Sequence, residues 1–158
     1  MTTVYFLVGL PGAGKSTWCK TEHPDLPIVS RDILRSTGIG YEFQEYCLGL
    51  TSDSEEKAIF PLETEILVTE KEYELIRHIA SHDQDFIIDD TNLKKIYREP
   101  LLEVLRELKV HIVGVQFTTP LEDCILRRQD QIDAESMRRT YETMDVLEEQ
   151  EVDEIITI

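Results

Sequence analysis

Gly9-Leu10-Pro11-Gly12-Ala13-Gly14-Lys15-Ser16-Thr17 is the stretch that decides the fold of this chain. It satisfies the signature G-x-x-x-x-G-K-[ST] at Gly9, Gly14, Lys15 and Ser16. Glycines let successive backbone N–H groups turn inward around phosphate oxygens, and a helix starting at the lysine points its positive end at the same place. In that geometry Lys15 reaches the β and γ phosphates of a nucleoside triphosphate, ATP or another NTP, and the Ser16 hydroxyl coordinates Mg²⁺. The flanks agree. Thr3 to Val8 is rich in β-branched and aromatic residues and reads as a strand, and Lys15 to Glu22 reads as a helix.

Outward from the loop, strand and helix patterns alternate. This predicts an α/β sandwich of three layers, with a four- or five-stranded, mainly parallel sheet covered on both faces. His23-Pro24 ends the first helix, because the residue before proline disfavours the α conformation. Pro27 to Ser30 reads as a short strand, and Arg31 to Ser36 as a helical turn capped by Ser30 and closed by Thr37-Gly38-Ile39-Gly40. A helical region runs from about Asp53 to His82, broken or bent at Pro61, with Leu62, Ile66, Leu67, Thr69, Tyr73, Ile76 and Ala80 against the sheet. Phe86 to Ile88 is a buried strand. A helix over 97–109, a strand over 110–117, helices over 121–129 and 135–148, and an edge strand over 154–158 complete the order. No repeat, linker or low-complexity segment interrupts it, so residues 1–158 read as one domain.

Composition narrows the function classes. No apolar run approaches the roughly 18 residues of a membrane span, and Met1-Thr2-Thr3 leads straight into a strand, so neither a membrane segment nor a targeting peptide is expected. Cys19, Cys47 and Cys124 are odd in number and lack C-x-x-C spacing, which predicts reduced thiols and a cytoplasmic setting. A net charge of −16 repels phosphate polymers and argues against extended nucleic-acid binding. Glu55, Glu56, Glu63, Glu65, Glu70, Glu72 and Glu74 crowd the long helical region and read as solvated faces. Lys15, Arg31, Arg35, Arg127 and Arg128 are candidates for a local basic funnel.

Two further segments bear carboxylates suited to chemistry at the loop. Phe86-Ile87-Ile88-Asp89-Asp90 resembles a Walker B strand, which places a carboxylate at the sheet edge near the metal. Alternate residues face opposite sides, so one of Asp89 and Asp90 points at the site, and Asp90 is taken as that one. Ser30-Arg31-Asp32 follows the second strand, whose carboxyl end faces the same crevice. Asp32 is then placed to act as base on a hydroxyl near the γ phosphate, and Arg35 to anchor its substrate. The Asp32 position also suits a carboxylate that merely complements a helix dipole.

Gly9 to Trp18, Ser30-Arg31-Asp32 with Arg35, and Asp90-Thr91-Asn92-Leu93 together resemble the kinase domain of phage-type 5′-polynucleotide kinases, in the same order and over most of the chain, to about Tyr141. The resemblance implies a P-loop kinase with a helical lid that transfers the ATP γ-phosphoryl group to the 5′-OH of a nucleic-acid end. Lys15 and Ser16 match its phosphate- and metal-binding pair, Asp32 its general base, and Arg35 an arginine that engages the acceptor's 3′-phosphate. Asp90, Thr91 and Asn92 match its acceptor-site run. Its lid arginines correspond to Arg127 and Arg128, and there the match departs. Gln129-Asp130-Gln131-Ile132-Asp133 stands where the family carries a further arginine. Both arginines equally fit surface pairing with Glu122, Asp123 or Asp130. Larger family members continue into a phosphatase or ligase, and no second activity is expected here. End binding needs few phosphate contacts, which reconciles an acidic chain with such a substrate.

Two rival readings use the same loop. One is a kinase for a small metabolite, antibiotic or sugar hydroxyl, since related folds host many acceptors. The other is a binding module gated by nucleotide. His78 and His82 lack a third ligand and read as a solvated pair. Met137, Tyr141 and Met144 read as core, Trp18 as packing beneath its helix, and Tyr41, Phe43 and Tyr46 near Cys47 as candidates to line an acceptor tunnel.

Overall fold

The computed structural model describes residues 1–37 and 62–158. Its strands are β1 (Thr3–Val8), β2 (Ile28–Val29), β3 (Phe86–Ile88), β4 (His111–Gln116) and β5 (Glu154–Thr157). Its helices are α1 (Lys15–Glu22), α2 (Arg31–Thr37), α3 (Leu62–Ser81), α4 (Lys95–Glu107), α5 (Leu121–Arg128) and α6 (Ala134–Thr143), with a 3₁₀ turn over Glu149–Glu151. The five strands form one all-parallel sheet in the order β2-β3-β1-β4-β5. Central β1 pairs Val4 with both Phe86 and Ile112. The order reverses at β1 and β3, and a crevice opens outside the carboxyl ends of strands at such a switch point. The P-loop, Asp89-Asp90 and Ser30-Arg31-Asp32 follow β1, β3 and β2, so all three reach that edge.

The central strands are continuous apolar runs because both faces are covered. On one face Val4, Phe6, Val8, Phe86, Ile88 and Ile112 pack with Ile76 of α3 and Leu101, Leu102 and Leu105 of α4. On the other, Leu7, Ile87, Val113 and Val115 meet Cys19 of α1, Cys124 of α5 and Met137 of α6. Each fully buried aliphatic contributes about 1.5–3 kcal/mol. Trp18 packs as expected, its ring 6.3 Å and perpendicular to Phe117. Met137 and Met144 join the core, whereas Tyr141 is exposed.

The elements correct the sequence reading in three places. In α3 Val68, Glu72 and Ile76 are buried and Tyr73 and Ala80 pack on the core as expected, while Ile66 faces outward. α4 begins at Lys95, two residues early, because the Asp145 carboxylate accepts its first N–H at 2.9 Å and acts as a cap from outside the helix. α6 ends at Thr143, and residues 144–148 run extended. There the carbonyls of Asp145 and Val146 accept from the buried Arg98 guanidinium at 2.7 and 3.0 Å, and Leu147 drops into the core. The expected helix start at Asp53, the break at Pro61, the Gly38-Ile39-Gly40 turn, and Tyr41, Phe43, Tyr46 and Cys47 lie outside the described residues.

Candidate active site

The P-loop is held by contacts to its carbonyls. Lys15 Nζ donates to the Gly9 and Leu10 carbonyls at 2.8 and 2.9 Å. Thr119 Oγ1 donates to Ala13 O at 2.7 Å, and Arg127 Nη1 to Gly12 O at 3.0 Å. From the segment after β3, the Thr91 carbonyl accepts the Gly9 N–H at 3.1 Å. Gly12 and Gly14 take φ of 81° and 98°, the left-handed region that disfavours any side chain. A Cβ on Gly12 would also lie 3.0 Å from Arg128 Cγ and 3.1 Å from the Cys124 carbonyl, so α5 seats directly on the loop. The loop delivers the chain into α1, whose first N–H groups have no intrahelical partner.

Between loop and α5 lies a cavity of about 440 Å³, lined by Gly12, Gly14, Lys15, Ser16, Arg127 and Arg128 among others. The surface pairing that Arg127 and Arg128 equally fitted is absent among the described residues. Glu122 lies 3.7 Å from Arg138 instead, and Arg128 donates to Gln131 at 2.7 Å. Burial lowers the Lys15 ammonium below its usual range, opposed by the Asp89 charge. Asp89 itself is raised by burial, while Lys15 and a hydrogen bond from Ser16 favour its charged form. Asp89, not Asp90, therefore faces the loop. The strand alternation was read correctly and the choice between neighbours was not, since sequence does not say which face of β3 turns to β1's loop.

Asp90 turns the other way, into a second cavity of about 820 Å³. This cavity is lined by Asp32, Arg35, Glu65, Glu72, Asp90 and Tyr97 among others, and by Arg31, Thr91 and Asn92. Asp90 Oδ1 accepts the Arg31 N–H at 2.8 Å, while its Oδ2 and Glu72 Oε1 are buried without any donor. Burial, then the Glu72 charge, push the Asp90 carboxyl up to about 7. One proton between the two carboxyls satisfies both orphaned oxygens. Asp32 is 94% exposed and pairs with Arg35 Nη1 at 2.9 Å. It lines the larger cavity, and its charge adds to the upward shift of Asp89.

Glu65 and Glu72 are the residues the sequence reading missed. Arg35 grips Glu65 through Nε and Nη2, both at 2.8 Å, and Arg31 Nη2 adds a third contact at 2.8 Å. Arg31 Nη1 donates to Glu72 at 2.9 Å and to Thr69 at 2.9 Å. The Arg35 hydrogen bond, reinforced by Arg31, holds the Glu65 carboxyl down at about 2. These are not solvated helix-face charges, although the seven-residue spacing that puts 65 and 72 on the side of Val68 and Ile76 was legible. The five cations expected to converge divide instead, with Lys15, Arg127 and Arg128 at the loop and Arg31 and Arg35 in the second cavity. Asn92 adopts φ of 49° and its amide donates to the Leu7 carbonyl at 2.8 Å, clamping the run to β1. No cluster of three His, Cys, Asp or Glu fit for a metal ion occurs among the described residues.

A family model described as an AAA domain, AAA_33, matches residues 4–151. The chain belongs to this family. A search of curated proteins gives no match. Among solved structures, this AAA_33 chain is similar to one in the Pnkp1/Rnl/Hen1 complex, with 22% identity and a TM-score of 0.63 over 80% of this chain and 38% of that one. It is also similar to a sugar kinase from Janibacter sp. HTCC2649, at 19% identity, TM-score 0.64, with 100% and 85% covered. The Mycobacterium tuberculosis APS kinase CysC matches at 19% identity, TM-score 0.54, with 99% and 87% covered. The AAA_33 domain thus has the P-loop kinase fold, and it spans well under half of the Pnkp1/Rnl/Hen1 chain. No helix among the described residues is long and apolar enough to cross a membrane.

Proposed function

We propose that residues 1–158 form a single kinase domain that transfers the γ-phosphoryl group of ATP to the 5′-OH of a polynucleotide end, with Asp32 as general base. The observation that carries this reading is the position of Asp32, exposed in the larger cavity yet close enough for its charge to act on Asp89 beside Ser16 and Lys15. The smaller cavity fits a triphosphate with Mg²⁺. It offers two left-handed glycines, a helix N-terminus, three cationic side chains, and a Ser16 hydroxyl facing a carboxylate. When bound, ATP supplies the transferable phosphoryl group and Mg²⁺ the charge neutralisation.

In this reading Gly9 to Thr17 wrap the phosphates, Lys15 and Arg127 hold them, and Ser16 holds the metal. Arg128 lies at the rim of the same cavity and adds positive charge where negative charge develops. Asp32 accepts the proton of the attacking hydroxyl, and Arg35, paired with it, keeps its oxygens oriented. Asp90, Thr91 and Asn92 form the acceptor floor.

A second reading, transfer to a small-molecule hydroxyl, is favoured by one feature. Arg31 and Arg35 are already paired with Glu65 and Glu72, which leaves Lys94, bonded to the Thr143 carbonyl, as the cavity's one cation without a carboxylate partner among the described residues. Incubation with labelled ATP against 5′-OH oligonucleotides and a panel of small alcohols decides between them. Label on an oligonucleotide end supports the first reading, and label only on a small alcohol replaces it.

A further inference from the structure

We propose that Glu65 sets acceptor specificity by charge: it occupies the Arg31–Arg35 guanidinium pair as a built-in carboxylate, so an anionic acceptor group binds there only by displacing it. The inference rests on the larger cavity being the acceptor site. Three guanidinium nitrogens converge on one carboxylate, Arg35 Nε on Oε1 and the Nη2 atoms of Arg35 and Arg31 on Oε2, each at 2.8 Å. That is the fork a phosphate oxygen pair engages, because planar guanidinium donors match carboxylate and phosphate alike.

The neighbouring Glu72 is no rival for this role. It is 2% exposed on the buried stripe of α3, a partner of Arg31, whereas Glu65 is 33% exposed at the cavity wall, where an incoming anion can reach the same donors. The strength of the grip is evident in the depressed carboxyl of Glu65. Displacement therefore costs the incoming anion most of what the two arginines give it, while a neutral acceptor leaves the Glu65 contacts intact.

The test uses the full chain saturated with a non-hydrolysable ATP analogue, so that the P-loop is filled, and reads binding by calorimetry. The probes are a 5′-OH dinucleotide with one phosphodiester and its uncharged methylphosphonate counterpart. Wild type is expected to bind the two within about twofold, and Glu65→Gln to favour the phosphodiester by about tenfold, as freed charge-assisted donors require. Adding Arg35→Gln to Glu65→Gln should remove that preference. Glu65→Asp keeps the charge and should keep the wild-type ratio. A ratio unchanged by Glu65→Gln, or shifted as far by Glu65→Asp, overturns the proposal. Should neither dinucleotide bind, the polynucleotide reading fails, and inorganic phosphate becomes the probe. Tighter phosphate binding to Glu65→Gln then upholds the role of Glu65, and equal or weaker binding overturns it.

Discussion

The loop cavity and the larger cavity that holds Asp90 lie at one sheet edge, yet they are built differently. The first is lined by one continuous loop segment together with Arg127 and Arg128 of α5, and the loop's carbonyls are tied down by Lys15, Thr119 and Arg127. The second is walled by side chains from α2, α3, α4 and the segment after β3, and its charged members from α2 and α3 are held by mutual ion pairs. The loop's shape is set by its own backbone, with Gly12 and Gly14 at positive φ. A side-chain network is specific, and every member depends on the others.

The sharpest way to break the comparison is Asp32→Ala. It should cut phosphoryl transfer about 10³-fold, in the range general bases provide, while ATP affinity measured by calorimetry stays within about twofold. Retained turnover would remove the base from the acceptor side and leave only the nucleotide side as chemistry.

Next in size is Arg98→Met. Arg98 is wholly buried, bidentate to Glu151 at 2.9 and 2.8 Å, with three carbonyls taking its remaining donors. Loss of one partner strands a buried carboxylate and should destabilise by about 3 kcal/mol in chemical denaturation. The double change with Glu151→Met should recover most of that loss. If it does not, the carbonyl contacts matter more than the ion pair.

Arg127→Ala should raise the KM for ATP about tenfold, as expected for a charged hydrogen-bond partner of the loop, and Arg128→Ala less than about threefold. The reverse order would make Arg128 the lid arginine.

The smallest effect concerns acid. The arginine pairing holds the Glu65 carboxyl down at about 2 in the folded protein against its ordinary 4.5, so the pairing adds stability that is present above pH 4.5 and lost as pH falls toward 2. Solvent screening leaves on the order of 1 kcal/mol. Glu65→Gln should flatten that part of the acid-unfolding curve, and an unchanged curve would mean the network adds nothing to stability.

The strands and most helices were legible because apolar period and caps are local properties. β1, α1 and β3 fall where the sequence puts them, and β2, α2 and α5 within a residue or two. What failed involved distant partners. α6 stops early because Arg98 takes the carbonyls of residues 145 and 146, and α4 starts early because Asp145 caps it. Neither partner is near in sequence.

The sequence by itself determined the phosphate loop, the alternating α/β order and the placement of Asp32 and Arg35 on the helix after β2. Each follows from short-range chemistry, such as glycine at positive φ or a carboxylate in a first helical turn. Only the tertiary structure decided that Asp89 faces the loop and Asp90 the second cavity, and that Glu65 and Glu72 hold the arginines. It also paired Arg98 with Glu151. Those contacts join residues 30, 41 and 53 positions apart, and only the packing of helices on the sheet brings such side chains within hydrogen-bond distance.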